Sequence, residues 1–213
     1  MTINDLEPKV VFSNFYGITR QPRPSKHEEK IRAYLLEWAA KHNVEAFADE
    51  TGNLIMRAPA TPGFENRKGV ILQGHMDMVP QKNADVDFDF ENDPIETWVD
   101  GEWLKAKGTT LGADNGLGVA LALSVLESPE VKHGPIEILV TYDEETGMTG
   151  AAALKPGVLK GDILLNLDSE TEGELYFGCA GGLDVTAKGS YKREPEPEGH
   201  VCYTLDVKGF KGG

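Results

Sequence analysis

The stretch VILQGHMDMVP, residues 70–80, runs from an apolar segment into a histidine and an aspartate two positions apart. Alternate side chains of an extended chain point the same way, so His75 and Asp77 are expected to emerge together at the end of a buried strand. The Asp77 carboxylate could then fix the ring of a metal-binding His75. The alternative is a surface histidine beside a solvated acid, and His-x-Asp by itself does not separate the two.

The segments around this stretch predict an α/β fold. After residue 69, short apolar runs alternate with helical patterns, as in parallel strands joined by helical crossovers. Residues 70–72 are the first predicted buried run, and PIEILVTYDEE and GDILLNLDSE are the next predicted strands. Residues 117–126 form a helix that is apolar on nearly all sides and is expected in the interior.

The N-terminal part carries shorter signals. Ser25 and Glu28 match a capping box before an amphipathic helix. Residues 43–59 predict two strands joined by a turn at ETGN, and residues 84–103 predict an acidic loop dotted with aromatic residues.

The composition limits the partners. Lys and Arg number 21 against 35 Asp and Glu, and the net charge of −14 repels nucleic acid and anionic lipid surfaces. The sequence contains no signal-like N-terminus and no apolar run of about 20 residues, so neither export nor a membrane anchor is expected. Cys179 and Cys202, without a Cys-x-x-Cys pair, favour a reducing compartment, the cytoplasm.

Three of the apolar runs end in groups that can bind a metal ion. His75 and Asp77 end the first, Glu144 and Glu145 the second, and Asp168 the third. Ligands of open parallel sheets gather beyond the carboxyl ends of the strands, so these groups are expected to meet.

Two of these positions allow more than one interpretation. Asp114, in GADNGLG, lies at the start of the helix that follows the first predicted strand. It is either the N-cap of that helix or a carboxylate that bridges two cations. Glu144 and Glu145 point in opposite directions in a straight strand, and both face one site only if the chain turns at Thr146 and Gly147. One glutamate would then bind metal and the other would take a proton from water. The alternative is a pair of solvated glutamates.

Histidine with carboxylates, and without cysteine, suits a catalytic zinc site in which manganese or cobalt can substitute. Such a site activates water at neutral pH and polarises a carbonyl, which is the chemistry of amide hydrolysis. The sequence has no Gly-x-Ser-x-Gly elbow, Walker-type loop or dinucleotide fingerprint that would offer another mechanism.

Four motifs, GHMDMVP, GADNGLG, DEETGMTGA and LDSE, resemble in order and spacing those of the co-catalytic zinc exopeptidases of the aminoacylase and glutamate carboxypeptidase type. The similarity covers essentially the whole chain and is greatest to bacterial dipeptidases of that family. It implies an α/β domain with a mostly parallel central sheet, helices on both faces, two zinc ions in a full-length site and a peptide substrate.

The resemblance also implies a role for each candidate residue. His75, Asp114 and Asp168 would bind one zinc; Asp114 would bridge to a second zinc held by Glu145; Asp77 would orient His75, and Glu144 would be the general base. The peptide bond after the bridging aspartate is commonly cis in the family, so the Asp114-Asn115 bond is expected to be cis.

The chain departs from the family pattern at its end, where VKGFKGG resembles the start of an inserted lid or dimerisation domain. Residues 1–205 are therefore predicted to be the N-terminal part of a C-terminally incomplete catalytic domain, and residues 206–213 the start of the lid. The family's last metal-binding histidine and its lid histidine lack counterparts, since His133 and His200 are expected at the surface. A homodimer through the lid and poor turnover by this chain follow as expectations.

The functional hypothesis that the resemblance implies is metal-dependent hydrolysis of dipeptides, of the Xaa-His type or of broad specificity in the cytosol, through metal-activated water and a glutamate general base. Another amidohydrolase on the same scaffold, a tripeptidase, aminoacylase or deacetylase, is the first alternative. The motifs do not distinguish these enzymes because they act on the reacting carbonyl and do not contact the substrate side chains. A metal-binding module without catalysis is the alternative from another class.

Overall fold

The computed structural model of the chain describes residues 2–169, 171, 173–179, 181, 185–193, 195, 198–201 and 203–207. The chain divides into two compact units, Met1–Glu174 and Leu175–Gly213. The first unit contains a short 3-10 turn at Ile3–Asp5 and all the helices and strands of the described residues. The helices are α1 (Lys9–Thr19), α2 (Glu29–Lys41), α3 (Ala113–Glu127) and α4 (Thr149–Ala153). The strands are β1 (Glu45–Ala48), β2 (Leu54–Ala58), β3 (Val70–His75), β4 (Thr97–Asp100), β5 (Trp103–Ala106), β6 (Ile136–Thr141) and β7 (Ile163–Asn166).

Five strands form the central sheet in the order β1-β2-β6-β3-β7. The β6, β3 and β7 strands are parallel, whereas β2 is antiparallel to both β1 and β6. Four of the five strands therefore point the same way, which confirms the predicted α/β class with a mostly parallel sheet. Because β3 lies between β6 and β7, the carboxyl ends of the three strands that carry the candidate ligands are neighbours.

The larger core fills the face of the sheet that α1, α2 and α3 cover. It includes Phe15, Ile31, Leu35, Leu72, Leu123 and Ile138. On the other face, Ile55, Ile71 and Leu139 are covered by residues of the segment after α4, including Leu154, Val158 and Leu159. Both faces are thus covered, the first by helices and the second largely by the segment that follows α4.

The α3 helix is less enclosed than its apolar sequence predicts. Ala120 and Leu123 are completely buried, but Leu117 and Leu121 are 38% and 47% exposed. The helix packs on α1 and β3 with one side only, so its outer leucines remain accessible to solvent.

Two local predictions are wrong. The capping box at Ser25 and Glu28 is absent: α2 begins at Glu29, its N-cap makes no side-chain hydrogen bond, and Lys26 between them has φ +71°. The predicted loop at 84–103 contains β4, which pairs antiparallel with β5 across a turn where Gly101 has φ +62°. A glycine with positive φ at the first central position is typical of a two-residue hairpin turn.

The second unit contains no helix or strand among its described residues, although its sequence has strand-like runs. An isolated strand gains little without a neighbour to pair with. The predicted boundary at 205/206 lies inside this unit and residues 208–213 lie outside the described residues, so the lid assignment stays a prediction. Among the described helices, none combines the length and apolarity that crossing a bilayer requires.

Candidate metal centre

All six residues proposed from the sequence meet at the carboxyl edge of β3, β6 and β7. Two groups of possible metal ligands form there, with ligand atoms within 4.8 Å of one another: His75, Asp114 and Asp168 in the first, and His75, Glu144 and Glu145 in the second. His75 belongs to both groups, so the two potential cation positions adjoin the same imidazole.

His75, the last residue of β3, is completely buried. Its Nε2 lies 2.9 Å from Asp114 Oδ1, 3.6 Å from Asp168 Oδ1 and 4.0 Å from Glu144 Oε2. Its Nδ1 faces the Asp77 main-chain oxygen at 3.1 Å and Asp77 Oδ1 at 3.2 Å. One ring nitrogen therefore points into the carboxylate cluster and the other to Asp77, the geometry expected of a ligand and its orienting acid.

Asp77 is also completely buried, and its carboxylate holds more than the imidazole. Oδ1 accepts a hydrogen bond from the Glu144 main-chain N–H at 3.0 Å, and Oδ2 accepts one from the Glu145 N–H at 3.1 Å and one from Ser25 Oγ at 2.8 Å. Burial raises the pKa of Asp77, but hydrogen bonds from His75, Glu144, Ser25 and Glu145 outweigh it and lower the pKa to about 2. Asp77 is thus an ionised anchor for the turn after β6.

The turn that carries the two glutamates starts earlier than predicted, at Asp143, which has φ +51°. The buried Asp143 carboxylate accepts hydrogen bonds from the hydroxyls of Thr146 and Thr149 and closes the turn. Glu144 and Glu145 can therefore face one site although they are adjacent in sequence.

The entry to α3 places Asp114 beside His75. Gly112, with φ +70°, precedes α3, but Asp114 (ψ 115°) and Asn115 (ψ 26°) have non-helical backbone angles, so the regular part of the helix begins after Asn115. The Asp114 carboxylate faces the imidazole, with Oδ1 2.9 Å from His75 Nε2. The Asp114-Asn115 peptide bond is cis, as the resemblance implies. The Asp114 side chain is 50% exposed and is therefore open to a ligand from solvent.

Asn115 is a functional candidate that sequence reasoning missed. It is buried, and its Nδ2 donates to the Leu167 main-chain oxygen and to Asp168 Oδ1, both at 2.9 Å. Its Oδ1 accepts from the His75 main-chain N–H at 3.3 Å. Asn115 thus ties the end of β3 to the segment that carries Asp168, and its position next to Asp114 in GADNGLG was the available signal.

The electrostatics of the cluster suit a divalent cation. Burial, reinforced by Asp168, raises the pKa of Asp114, and burial, reinforced by Asp114 and Glu144, raises the pKa of Glu145 to about 7. For His75, burial lowers the pKa, but hydrogen bonds and charges of Asp168 and Asp77 raise it to about 10. An excess of negative charge surrounds one imidazole, and this imidazole–carboxylate donor set fits zinc and similar ions.

Of the two later histidines, His200 lies at the surface as predicted, and His133 is less exposed than predicted. His133 is half-buried in the turn before β6, where Nδ1 contacts the Gly134 main-chain oxygen at 2.7 Å, and His200 is exposed.

Comparison with known proteins identifies longer relatives. The cytosol non-specific dipeptidase of Escherichia coli (strain K12) is 50% identical over 211 residues, which are 99% of this chain and 44% of that protein. The crystal structure of aminoacylhistidine dipeptidase from Vibrio alginolyticus matches 84% of this chain and 36% of that chain with a TM-score of 0.82 and 57% identity. The aminopeptidase PepT from Bacillus cereus ATCC 10987 matches 76% of this chain and 44% of that chain with a TM-score of 0.66 and 26% identity. The chain spans less than half the length of each of these proteins.

A family profile gives the classification. The profile of peptidase family M20/M25/M40 matches residues 71–196, which include all six candidate residues and more than half of the chain. This confirms the resemblance inferred from the four motifs. The chain belongs to peptidase family M20/M25/M40.

Proposed function

We propose that this chain supplies the metal centre of a cytosolic dipeptidase that cleaves Xaa-His and other dipeptides. The convergence of His75, Asp114 and Asp168, with Glu144 and Glu145 also beside His75, carries the proposal. The substrate class and the compartment rest on two relatives, which are named an aminoacylhistidine dipeptidase and a cytosol non-specific dipeptidase.

Zinc is the proposed metal, with manganese or cobalt as possible substitutes. His75, Asp114 and Asp168 would hold one ion, and Asp114 and Glu145 would hold the second. When bound, the metal polarises the peptide carbonyl and makes the attacking water more acidic. Asp77 keeps the imidazole and both glutamates in place during the reaction.

Glu144 is the proposed general base. Its pKa is raised, mainly by burial and further by the negative charges of Asp168, Asp77 and Asp114, so the carboxylate accepts a proton more readily than an exposed glutamate does. It would take a proton from the attacking water and deliver it to the leaving amine. Glu145 adjoins the same site, and the assignment of the two roles follows the family resemblance.

Matched Glu144→Gln and Glu145→Gln variants test the assignment. Zinc content after dialysis against a weak chelator and hydrolysis of an Xaa-His dipeptide are measured for both variants and for the unmodified chain. We expect Glu144→Gln to keep its zinc and lose hydrolysis, because it removes a base and no ligand, and Glu145→Gln to lose zinc. Loss of zinc from Glu144→Gln would mean that the two roles are exchanged.

A substrate panel separates the remaining hypotheses. Cleavage of tripeptides or N-acetyl amino acids in preference to dipeptides would replace the dipeptidase by another amidohydrolase. Bound zinc without hydrolysis of any amide would favour a non-catalytic metal-binding module. Turnover equal to that of a full-length relative would contradict the expected poor activity, and homodimer formation through a lid domain stays a prediction.

A further inference from the structure

The loop between α1 and α2 contacts the elements that carry the metal centre. Arg23 in this loop is 2% exposed, and its Nη1 donates to the main-chain oxygens of Met76 at 3.1 Å and Asp77 at 3.0 Å. Its Nη2 donates to the Gly112 main-chain oxygen at the entry to α3. The Arg23 main-chain oxygen in turn accepts from the Met78 N–H at 3.1 Å. One side chain thus joins the segment after β3 to the helix that carries Asp114.

Two glycines of GADNGLG, Gly112 and Gly116, leave room for this arginine. A Cβ atom at Gly116 would lie 2.6 Å from Arg23 Nη2, and a Cβ at Gly112 would lie closer still. Side chains at these positions would displace the guanidinium, so the motif is shaped around Arg23 as well as around Asp114. The loop between α1 and α2 is therefore held in contact with the segment after β3 and with the entry to α3.

Ser25, two residues along this loop, reaches Asp77. Its Oγ donates to Asp77 Oδ2 at 2.8 Å, the same oxygen that accepts the Glu145 N–H. The other oxygen, Oδ1, accepts the Glu144 N–H and faces His75 Nδ1. The Ser25 hydroxyl is thus a side-chain donor, besides the imidazole, that holds the Asp77 carboxylate in its position between the two glutamates and His75.

We propose that Ser25 is a positioning residue of the metal centre. Its hydroxyl fixes the Asp77 carboxylate, and Asp77 transmits that position to His75 and to the main chain of Glu144 and Glu145. The inference rests on one part of the proposed function, namely that this site binds a metal ion. Since partners of this kind orient the ligands, loss of the hydroxyl weakens metal binding without removing a ligand.

A zinc titration in competition with a chromogenic chelator tests the proposal on the full chain. Ser25→Ala removes the hydroxyl, Ser25→Thr keeps one, and Ser124→Ala makes the same change at a buried serine whose Oγ donates to its own helix at Ala120 O, 2.7 Å away. We expect zinc affinity to fall about 10-fold or more in Ser25→Ala and to stay within about twofold in the other two variants. Circular dichroism in EDTA checks that each variant is folded.

The outcomes separate this proposal from the proposed function. If the unmodified chain binds no zinc, both are overturned. If it binds zinc and Ser25→Ala binds zinc equally well, only the role of Ser25 is overturned. A Ser25→Ala chain that is unfolded in EDTA would make the hydroxyl a folding contact, which also overturns the positioning role, whereas rescue by Ser25→Thr supports it.

Discussion

Glu28 offers a quantitative test of the electrostatics beneath the site. The side chain is completely buried, and its Oε1 accepts hydrogen bonds from the main-chain N–H groups of Lys26 at 3.0 Å and Asp143 at 3.1 Å. Its Oε2 has no hydrogen-bond partner among the described residues. Burial raises the pKa of Glu28 to about 7, although the two hydrogen bonds lower it, and the charge of Asp77 adds to the rise.

A raised carboxyl pKa makes the folded state less stable as pH increases. Between the ordinary pKa of 4.5 and about 7, the folded chain binds more protons at Glu28 than the unfolded chain does, so the free energy of unfolding falls across this range. At about 1.4 kcal/mol for each pH unit between the two pKa values, the loss attributable to Glu28 is about 3 kcal/mol at pH 8. The Glu28→Gln substitution keeps an acceptor oxygen for the two N–H groups and removes the charge.

The expected result is a stability difference that depends on pH. Glu28→Gln and the unmodified chain should have similar unfolding free energies at pH 4.5, and Glu28→Gln should be more stable by about 3 kcal/mol at pH 8. Urea unfolding in EDTA, followed by circular dichroism, measures both chains, and their difference cancels the titration of the other groups. Glu29→Gln, the same change at the exposed neighbouring residue, is the control and should show no such trend. A pH-independent difference, or a less stable Glu28→Gln chain at pH 8, would refute the reasoning.

Three further predictions concern the site and the core. Asn115→Ala removes the tie between His75 and Asp168 and should lower zinc affinity about 10- to 100-fold in the chelator competition; unchanged affinity would contradict the role assigned to the amide. Leu123→Ala in the buried side of α3 should lower the free energy of unfolding by about 2–5 kcal/mol in urea, while Leu121→Ala on the exposed side should change it by about 0.5 kcal/mol or less; equal effects would mean that the helix packs differently. Free zinc at 100 times its Kd should stabilise the chain by about 2.7 kcal/mol, and EDTA should reverse the effect. A thermal unfolding midpoint that changes with neither zinc nor EDTA would contradict a metal site in the folded chain.

The strand ends made the candidate site predictable from the sequence. An apolar run that stops at His75 or before Glu144 marks the end of a buried strand, and parallel strands deliver their carboxyl ends to the same edge. The alternation of strands and helices after residue 69 likewise gave the α/β class. The cis bond after Asp114 came from the family resemblance and from no physical pattern in the residues.

Predictions from local sequence patterns were wrong where a side chain forms its hydrogen bond with a residue far away in the sequence. Ser25 and Glu28 have the spacing of a capping box, but the Ser25 hydroxyl binds Asp77 and Glu28 accepts the Asp143 N–H. These partners are 52 and 115 residues away in sequence, so no local window contains them. The hairpin at Gly101 was missed although Asp100-Gly101, between two short strand-like runs, is itself a turn signal.

The sequence by itself indicated which residues can bind metal and that they meet at one edge of the sheet, because side chains alternate along a strand and parallel strands deliver their carboxyl ends to the same edge. Only the tertiary structure decided what holds those residues in place. Arg23, Ser25 and Asn115 are polar side chains in loops or at a helix entry, where no periodicity marks them. Their roles arise because burial leaves each donor to be satisfied by whatever acceptor the folded chain brings within reach.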